Sequence, residues 1–215
     1  HAGTGVYELS GKQAQTSGEA QDGIWRLQTW ADSQPAASLA PAIKTYLDLI
    51  EEFDPRGKTY PGSPFIMHKL LRMARPVAET DVQDRLHLYE LNPRDARLLQ
   101  ENVDQLQNNY PVSVSDSDGF MALKSLLPPP AKRALVHIDP SYEMKTDYAE
   151  VARSVEDALK RFSTGCYAIW YPIVGRAEAH DLPKRLKKIA STAGKSWLHA
   201  TPNVGSEESQ GPKIK

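Results

Sequence analysis

One cysteine, Cys166, is present in 215 residues. No intramolecular disulfide can form, and no cysteine-rich zinc pattern exists. A chain of this kind suits a reducing, cytoplasmic setting, which is the expected location. No apolar run is long enough to span a bilayer, and no secretory signal is visible. Among the histidines, His68, His87, His137 and His180 are scattered, and none has a partner at metal-ligand spacing. They are expected to be structural or at the surface, and no metal is expected. Neither a G-x-S-x-G elbow nor a P-loop occurs, which removes the serine-hydrolase and Walker-type nucleotide readings. There is no internal repeat and no long low-complexity segment.

What is present is ordinary for a globular protein: 40% hydrophobic and 25% charged residues, in a chain long enough for one sizeable core. A single domain over 1–215 is expected. The net charge of -1 conceals an asymmetry. Residues 1–120 carry 11 basic and 17 acidic side chains, whereas 121–215 carry 15 and 10. A basic half can meet a phosphate backbone, although charge alone favours a solvated helix face. Lys184, Arg185, Lys187 and Lys188 cluster in that half on an expected helix. They read first as such a face, compatible with RNA.

Apolar residues at helical spacing predict helices over 19–31 and 38–53. Ser63 is expected to cap a third helix starting at Pro64 and running to about Arg75. The pattern then changes. Strands are expected at 86–90, 111–114, 134–139 and 166–170. Helices are expected from Asn92 to about Gln107, from Asp118 to Leu126, from about Asp147 to Phe162, and over 176–192. Repeated strand-helix alternation predicts an α/β fold, a parallel sheet with helices on both faces. Trp25, Trp30, Trp170 and Trp197 are expected to pack rather than to serve as base platforms. The chain starts without Met, in a glycine-rich turn that normally follows a strand. Both ends therefore read as truncated or altered, with the first strand missing. Residues 205–215 read as a patternless tail.

In such a sheet, ligands bind outside the carboxyl ends of the strands. His1 to Gly5 would follow the missing first strand. Glu90 ends the next one, where a carboxylate can accept two ribose hydroxyl bonds. Taken alone it reads equally well as a surface carboxylate. Asp118-Gly119 can flank an adenine, or simply cap a helix. Asp139-Pro140-Ser141-Tyr142 leaves a short apolar strand. Asp139 can accept one hydrogen from an exocyclic amine, the Pro140 carbonyl can accept the other, and Tyr142 offers a ring for stacking. A strand-ending turn with a buried Tyr is the plain alternative for these four residues. The convergence of such residues at strand ends weighs against it.

Several stretches carry a family resemblance. They are His1-Ala2-Gly3-Thr4-Gly5, Tyr60-Pro61-Gly62-Ser63-Pro64, Leu88 to Pro93, Asp118-Gly119-Phe120, Ile138 to Tyr148 and Tyr167 to Pro172. In order and spacing, across roughly residues 1 to 190, they resemble the ribosomal RNA large subunit methyltransferase J family. The run from Ile138 to Tyr148 and the YPGSP segment are specific; the glycines are not. The resemblance implies a class I S-adenosylmethionine-dependent methyltransferase fold with a small helical insertion, here 19–80. It implies methylation of N6 of an adenine in 23S ribosomal RNA. By it, His1, Ser63, Glu90, Asp118 and Gly119 would contact S-adenosylmethionine. Asp139 would be catalytic, with Pro140 and Tyr142 holding the adenine. It implies a monomer acting on 23S ribosomal RNA before ribosome assembly, without metal or membrane.

The sequence departs from the family pattern at Ser141, since the usual motif is Asp-Pro-Pro-Tyr. That change should loosen the loop while keeping the acceptor and the ring. Two other readings compete: an N6-adenine DNA methyltransferase, and a non-catalytic nucleic-acid-binding remnant. A label of helping cells to use external DNA, sometimes attached to the family, is the weaker one.

Overall fold

The computed structural model describes residues 1–10, 20–74, 84–106 and 111–202. These form two compact units, one spanning 2–116 and the other joining His1 to 117–215. Among the described residues, three strand pairs are hydrogen-bonded: one antiparallel and two parallel.

In the first unit, β1 (Val6–Glu8) pairs antiparallel with β2 (Thr59–Pro61). This pairing was not foreseen, because strands of three residues leave no periodic signal. Between them lie a π-helical turn, Gln21–Trp25, that runs directly into α1 (Arg26–Asp32), and then α2 (Pro41–Phe53). The second expected helix thus starts later than 38, at Pro41. There the fixed φ and missing N–H of proline suit a first helical position. Leu9, Ala20, Ile24 and Ile50 form a small core beneath these elements, closed by Tyr46, Leu47 and Tyr60. The expected insertion at 19–80 falls in this unit, although residues 19 and 75–80 lie outside the described residues.

The same unit continues with α3 (Ser63–Ala74), β3 (Leu86–Tyr89), α4 (Pro93–Asp104) and β4 (Val112–Ser115). β3 and β4 are parallel, in register from Leu86↔Val112 to Tyr89↔Ser115. Leu86 and Leu88 on β3, Leu99 and Val103 on α4, and Phe65 on α3 make one buried cluster. The Asn92 side chain caps α4 by accepting the Arg94 N–H at 3.0 Å, with Pro93 in the first turn. The sequence expectation for that helix start therefore holds. Its expected end at Gln107 lies outside the described residues.

The second unit contains α5 (Gly119–Leu126), β5 (Leu135–Ile138), α6 (Lys145–Arg161), β6 (Cys166–Ile169) and α7 (Ala177–Thr192). β5 and β6 are parallel, in register from Leu135↔Cys166 to Ile138↔Ile169. α6 starts two residues before the expected Asp147. Its Tyr148, Val151, Ala152, Val155 and Leu159 recur at helical spacing and are buried with Ile138, Ala179 and Leu182. The opposite face carries ion pairs one turn apart, Lys160–Glu156 at 3.0 Å and Arg161–Asp157 at 2.8 Å. Both helix faces thus follow from the sequence period. The expected tail at 205–215 lies outside the described residues.

The Asp54-Pro55-Arg56-Gly57 sequence predicts a turn, and the turn found there is built around a carboxylate. Asp54 accepts N–H groups of Arg56, Lys58 and Thr59 at 2.9–3.0 Å, and the Thr59 hydroxyl at 2.8 Å. The Thr59 hydroxyl bond, helped by the backbone N–H groups, outweighs desolvation and holds the carboxyl pKa down at about 2. A depressed carboxyl pKa stabilises the fold above the ordinary aspartate range, and that contribution disappears as pH falls through the folded value. Asp54→Asn should therefore lower the melting temperature at neutral pH. Scanning calorimetry between pH 7 and about 2 should show the gap between parent and variant closing as acid is added; a gap independent of pH would exclude this role for Asp54.

Candidate functional site

The sequence-predicted residues divide between the two units. In the first, the glycine turn lies along the end of β3. Ala2 N–H donates to the Tyr89 carbonyl at 2.8 Å, and Gly3 N–H donates to Glu90 Oε2 at 2.8 Å. Asn102 of α4 donates from Nδ2 to the Thr4 carbonyl at 2.9 Å, and Gly62 N–H donates to the Gly5 carbonyl at 2.8 Å. Gly3 and Gly5 adopt φ of 61° and 78°. A Cβ at Gly5 would lie 2.5 Å from Phe65 Cε2 and 2.7 Å from Leu99 Cδ1. That position needs glycine for both conformation and packing.

Glu90 is 6% exposed, so it is not the surface carboxylate of the alternative reading. Its second oxygen, Oε1, accepts the Asn92 N–H at 2.9 Å. The carboxylate therefore ties the glycine turn to the start of α4. An ionised carboxylate offers about four acceptor sites, so each oxygen retains capacity for a hydroxyl donor. The remaining acceptor sites fit the hydroxyl donors of the ribose of a nucleoside cofactor.

Ser63 differs from expectation. The helix begins at Ser63 itself, and the Gly62 carbonyl accepts the N–H groups of Phe65 at 3.0 Å and Ile66 at 3.2 Å. Gly62, whose amide is bound to Gly5, therefore precedes the helix in the capping position. Ser63 is left exposed in the first helical turn.

In the second unit, the His1 ring packs at a tilt against Phe120, with centroids 5.9 Å apart. Asp118 caps α5 by accepting the Phe120 N–H at 2.8 Å, and Gly119 is the first helical residue. The basic cluster on α7 is exposed apart from local pairings. Lys184 meets Asp181 at 3.0 Å, and Lys187 Nζ sits 4.8 Å from the Trp197 ring centroid.

Asp139 to Tyr142 leave β5 at its carboxyl end. Asp139 is half-buried and Pro140 is buried. Desolvation pushes the Asp139 carboxyl above its ordinary pKa, partly offset by His137. Desolvation also lowers the His137 pKa, while Asp139 opposes that shift. Tyr142 has φ of 55°, a left-handed conformation that costs a non-glycine residue about 1–2 kcal/mol. Its ring is 3% exposed and packs on Tyr148 at a centroid distance of 4.7 Å. Its hydroxyl donates to the Trp170 carbonyl at 2.6 Å. Arg176 Nη1 donates to the carbonyls of Tyr142 and Glu143 at 3.1 and 3.3 Å. Ser141 adds only a 3.5 Å contact to the Glu143 N–H.

Sequence reasoning missed Asn102 and Arg176, since a side chain bound to a distant carbonyl leaves no local pattern. It also expected all four tryptophans to pack, yet all four are substantially exposed. Hydrophobicity alone cannot tell a core ring from a surface one. Among the described residues, no group of three metal-ligating side chains gathers, and no helix is long and apolar enough to cross a membrane.

Two curated relatives are named Ribosomal RNA large subunit methyltransferase J. The Escherichia coli protein is 40% identical over 85% of this chain, and the Haemophilus influenzae protein 39% identical over 87%. The chain spans about three fifths of the length of each, 61%. The crystal structure of protein LPL1258 from Legionella pneumophila is 33% identical and superposes with a TM-score of 0.72. The match covers 89% of this chain and 64% of that one. The α/β fold is that of class I S-adenosylmethionine-dependent methyltransferases. Residues 1–209 match the family model described as Ribosomal RNA large subunit methyltransferase D, RlmJ, and the chain belongs to that family.

Proposed function

We propose that the protein of which this chain is part transfers a methyl group from S-adenosylmethionine to N6 of an adenine in 23S ribosomal RNA. The observation that carries the reading is the Asp139-Pro140-Ser141-Tyr142 turn. It holds a half-buried carboxylate at the carboxyl end of a parallel strand, in a chain of a methyltransferase family. The basic face of α7 suits a phosphate backbone.

S-adenosylmethionine, when bound, supplies a methyl group on a sulfonium that departs as a neutral thioether. The residues on which it would rest are Glu90, for the ribose hydroxyls, with His1, Ser63, Asp118 and Gly119. Asp139 accepts one hydrogen of the adenine amine, and the Pro140 carbonyl accepts the other. Held in this way, the nitrogen lone pair would be drawn out of conjugation with the ring and freed to attack. The amine proton then leaves to Asp139 or water. Tyr142, expected from the sequence to stack on the base, is instead buried and holds the turn that carries Asp139 and Pro140. Positioning supplies most of the rate, and the target base must be unpaired or flipped. No step calls for a metal. The enzyme acts as a cytoplasmic monomer on RNA before ribosome assembly. Methyl transfer to protein-free 23S ribosomal RNA but not to DNA is the expected result, and the reverse preference would replace RNA with DNA as the substrate.

Asp139 must be ionised to take up the amine proton. Because its pKa is raised, activity should fall on the acid side at a pH above the ordinary aspartate range. Asp139→Asn should lower kcat about 100-fold or more, the usual yield of a positioned base. Single-turnover rates across pH check both points, and an unchanged rate in the variant would remove Asp139 from the chemistry. Glu90→Gln keeps the shape but replaces one acceptor oxygen with a donor that faces one of the two bound N–H groups. Calorimetry should show cofactor affinity weakened about tenfold or more, as expected when an acceptor for buried donors is lost.

A further inference from the structure

A flipped base needs an open aromatic face, and the Tyr142 ring is enclosed. Its buried ring lies against Tyr148, and the Trp170 ring is tilted against it with centroids 6.3 Å apart. The open ring beside this turn belongs to Trp170, which is 53% exposed.

Strand pairing explains why it is there. β5 and β6 are in register at Ile138↔Ile169, and the ladder continues with Trp170 N–H donating to the Ile138 carbonyl at 3.1 Å. Trp170 is therefore the residue in step with Asp139. Side chains alternate faces along each strand, so residues in step on parallel neighbours leave on the same face. The backbone at Trp170 is also pinned, because the Tyr142 hydroxyl donates to its carbonyl at 2.6 Å. Tyr142 in turn is held in its left-handed conformation with its carbonyl bound by Arg176. The other exposed tryptophans have different settings: Trp25 and Trp30 belong to the first unit, and Trp197 lies under Lys187.

We propose that Trp170 is the stacking platform for the target adenine, and that Tyr142 is the brace that fixes it. The proposal rests on the adenine methyltransferase reading and names the residue that holds the base flat while Asp139 and the Pro140 carbonyl hold its amine. Neither the hydrogen bond of Tyr142 nor the pairing of Trp170 depends on a base being present, so the platform is preformed.

The test uses the intact protein, with protein-free 23S ribosomal RNA as substrate and a short single-stranded adenine-containing RNA as binding probe. Trp170→Ala should lower kcat/KM for RNA about tenfold or more, the scale of one lost base-aromatic stack, with cofactor affinity unchanged by calorimetry. Trp170→Phe keeps a ring and should restore most of that loss. Tryptophan fluorescence of the parent should be quenched by the probe, and the quenching should be absent in Trp170→Phe, whose fold is the least disturbed. Parental kinetics in Trp170→Ala, or equal quenching in Trp170→Phe, would overturn the platform while leaving the methyltransferase reading intact. A parent protein that methylates neither RNA nor DNA overturns both.

Discussion

Glu90 is the point on which the geometry at the end of β3 depends. A carboxylate that is almost wholly buried must have its oxygens satisfied, or it would not be there. One oxygen takes the Gly3 amide, and the other takes the Asn92 amide at the start of α4. The glycine turn, the end of β3 and the next helix are thereby gathered on one side chain. The demand for glycine at position 5 follows from the same arrangement. With the turn drawn onto β3, Phe65 and Leu99 come so close that a Cβ has no room.

The second unit meets a similar problem with different means. Its strand-ending turn contains an exposed serine, a buried proline and a tyrosine in an unfavourable backbone conformation. Ser141 adds little to hold that turn. Stiffness comes from side chains distant in sequence: the Tyr142 hydroxyl on the Trp170 carbonyl, and the Arg176 guanidinium on two carbonyls of the turn. The looser loop that serine in place of proline implies is thus braced from β6 and from the start of α7. Strain of this kind persists only where surrounding contacts over-determine it.

Much of this was legible in the sequence because it is local. The apolar spacing of α6, the Asn92-Pro93 helix start, the Asp118 cap and the strand that ends at Ile138 are each written within a few residues. The Asp54 turn was legible too, although the four donors that gather on its carboxylate were not. Ser63 shows a local rule failing: Gly62, whose amide is bound to the distant Gly5, takes the capping position instead.

The sequence by itself determined the α/β alternation, the two kinds of helix face and the residues placed at strand ends. Periodicity, caps and turns act over one or two turns of chain, and they are read without knowing the partners. Only the tertiary structure decided that Glu90 is buried, that Tyr142 turns its ring inward, and that Trp170 stays in solvent. Burial and long-range hydrogen bonding depend on which elements meet. Residues with the same side chain, such as Tyr142 and Tyr7, or His68 and His180, end in opposite environments for that reason.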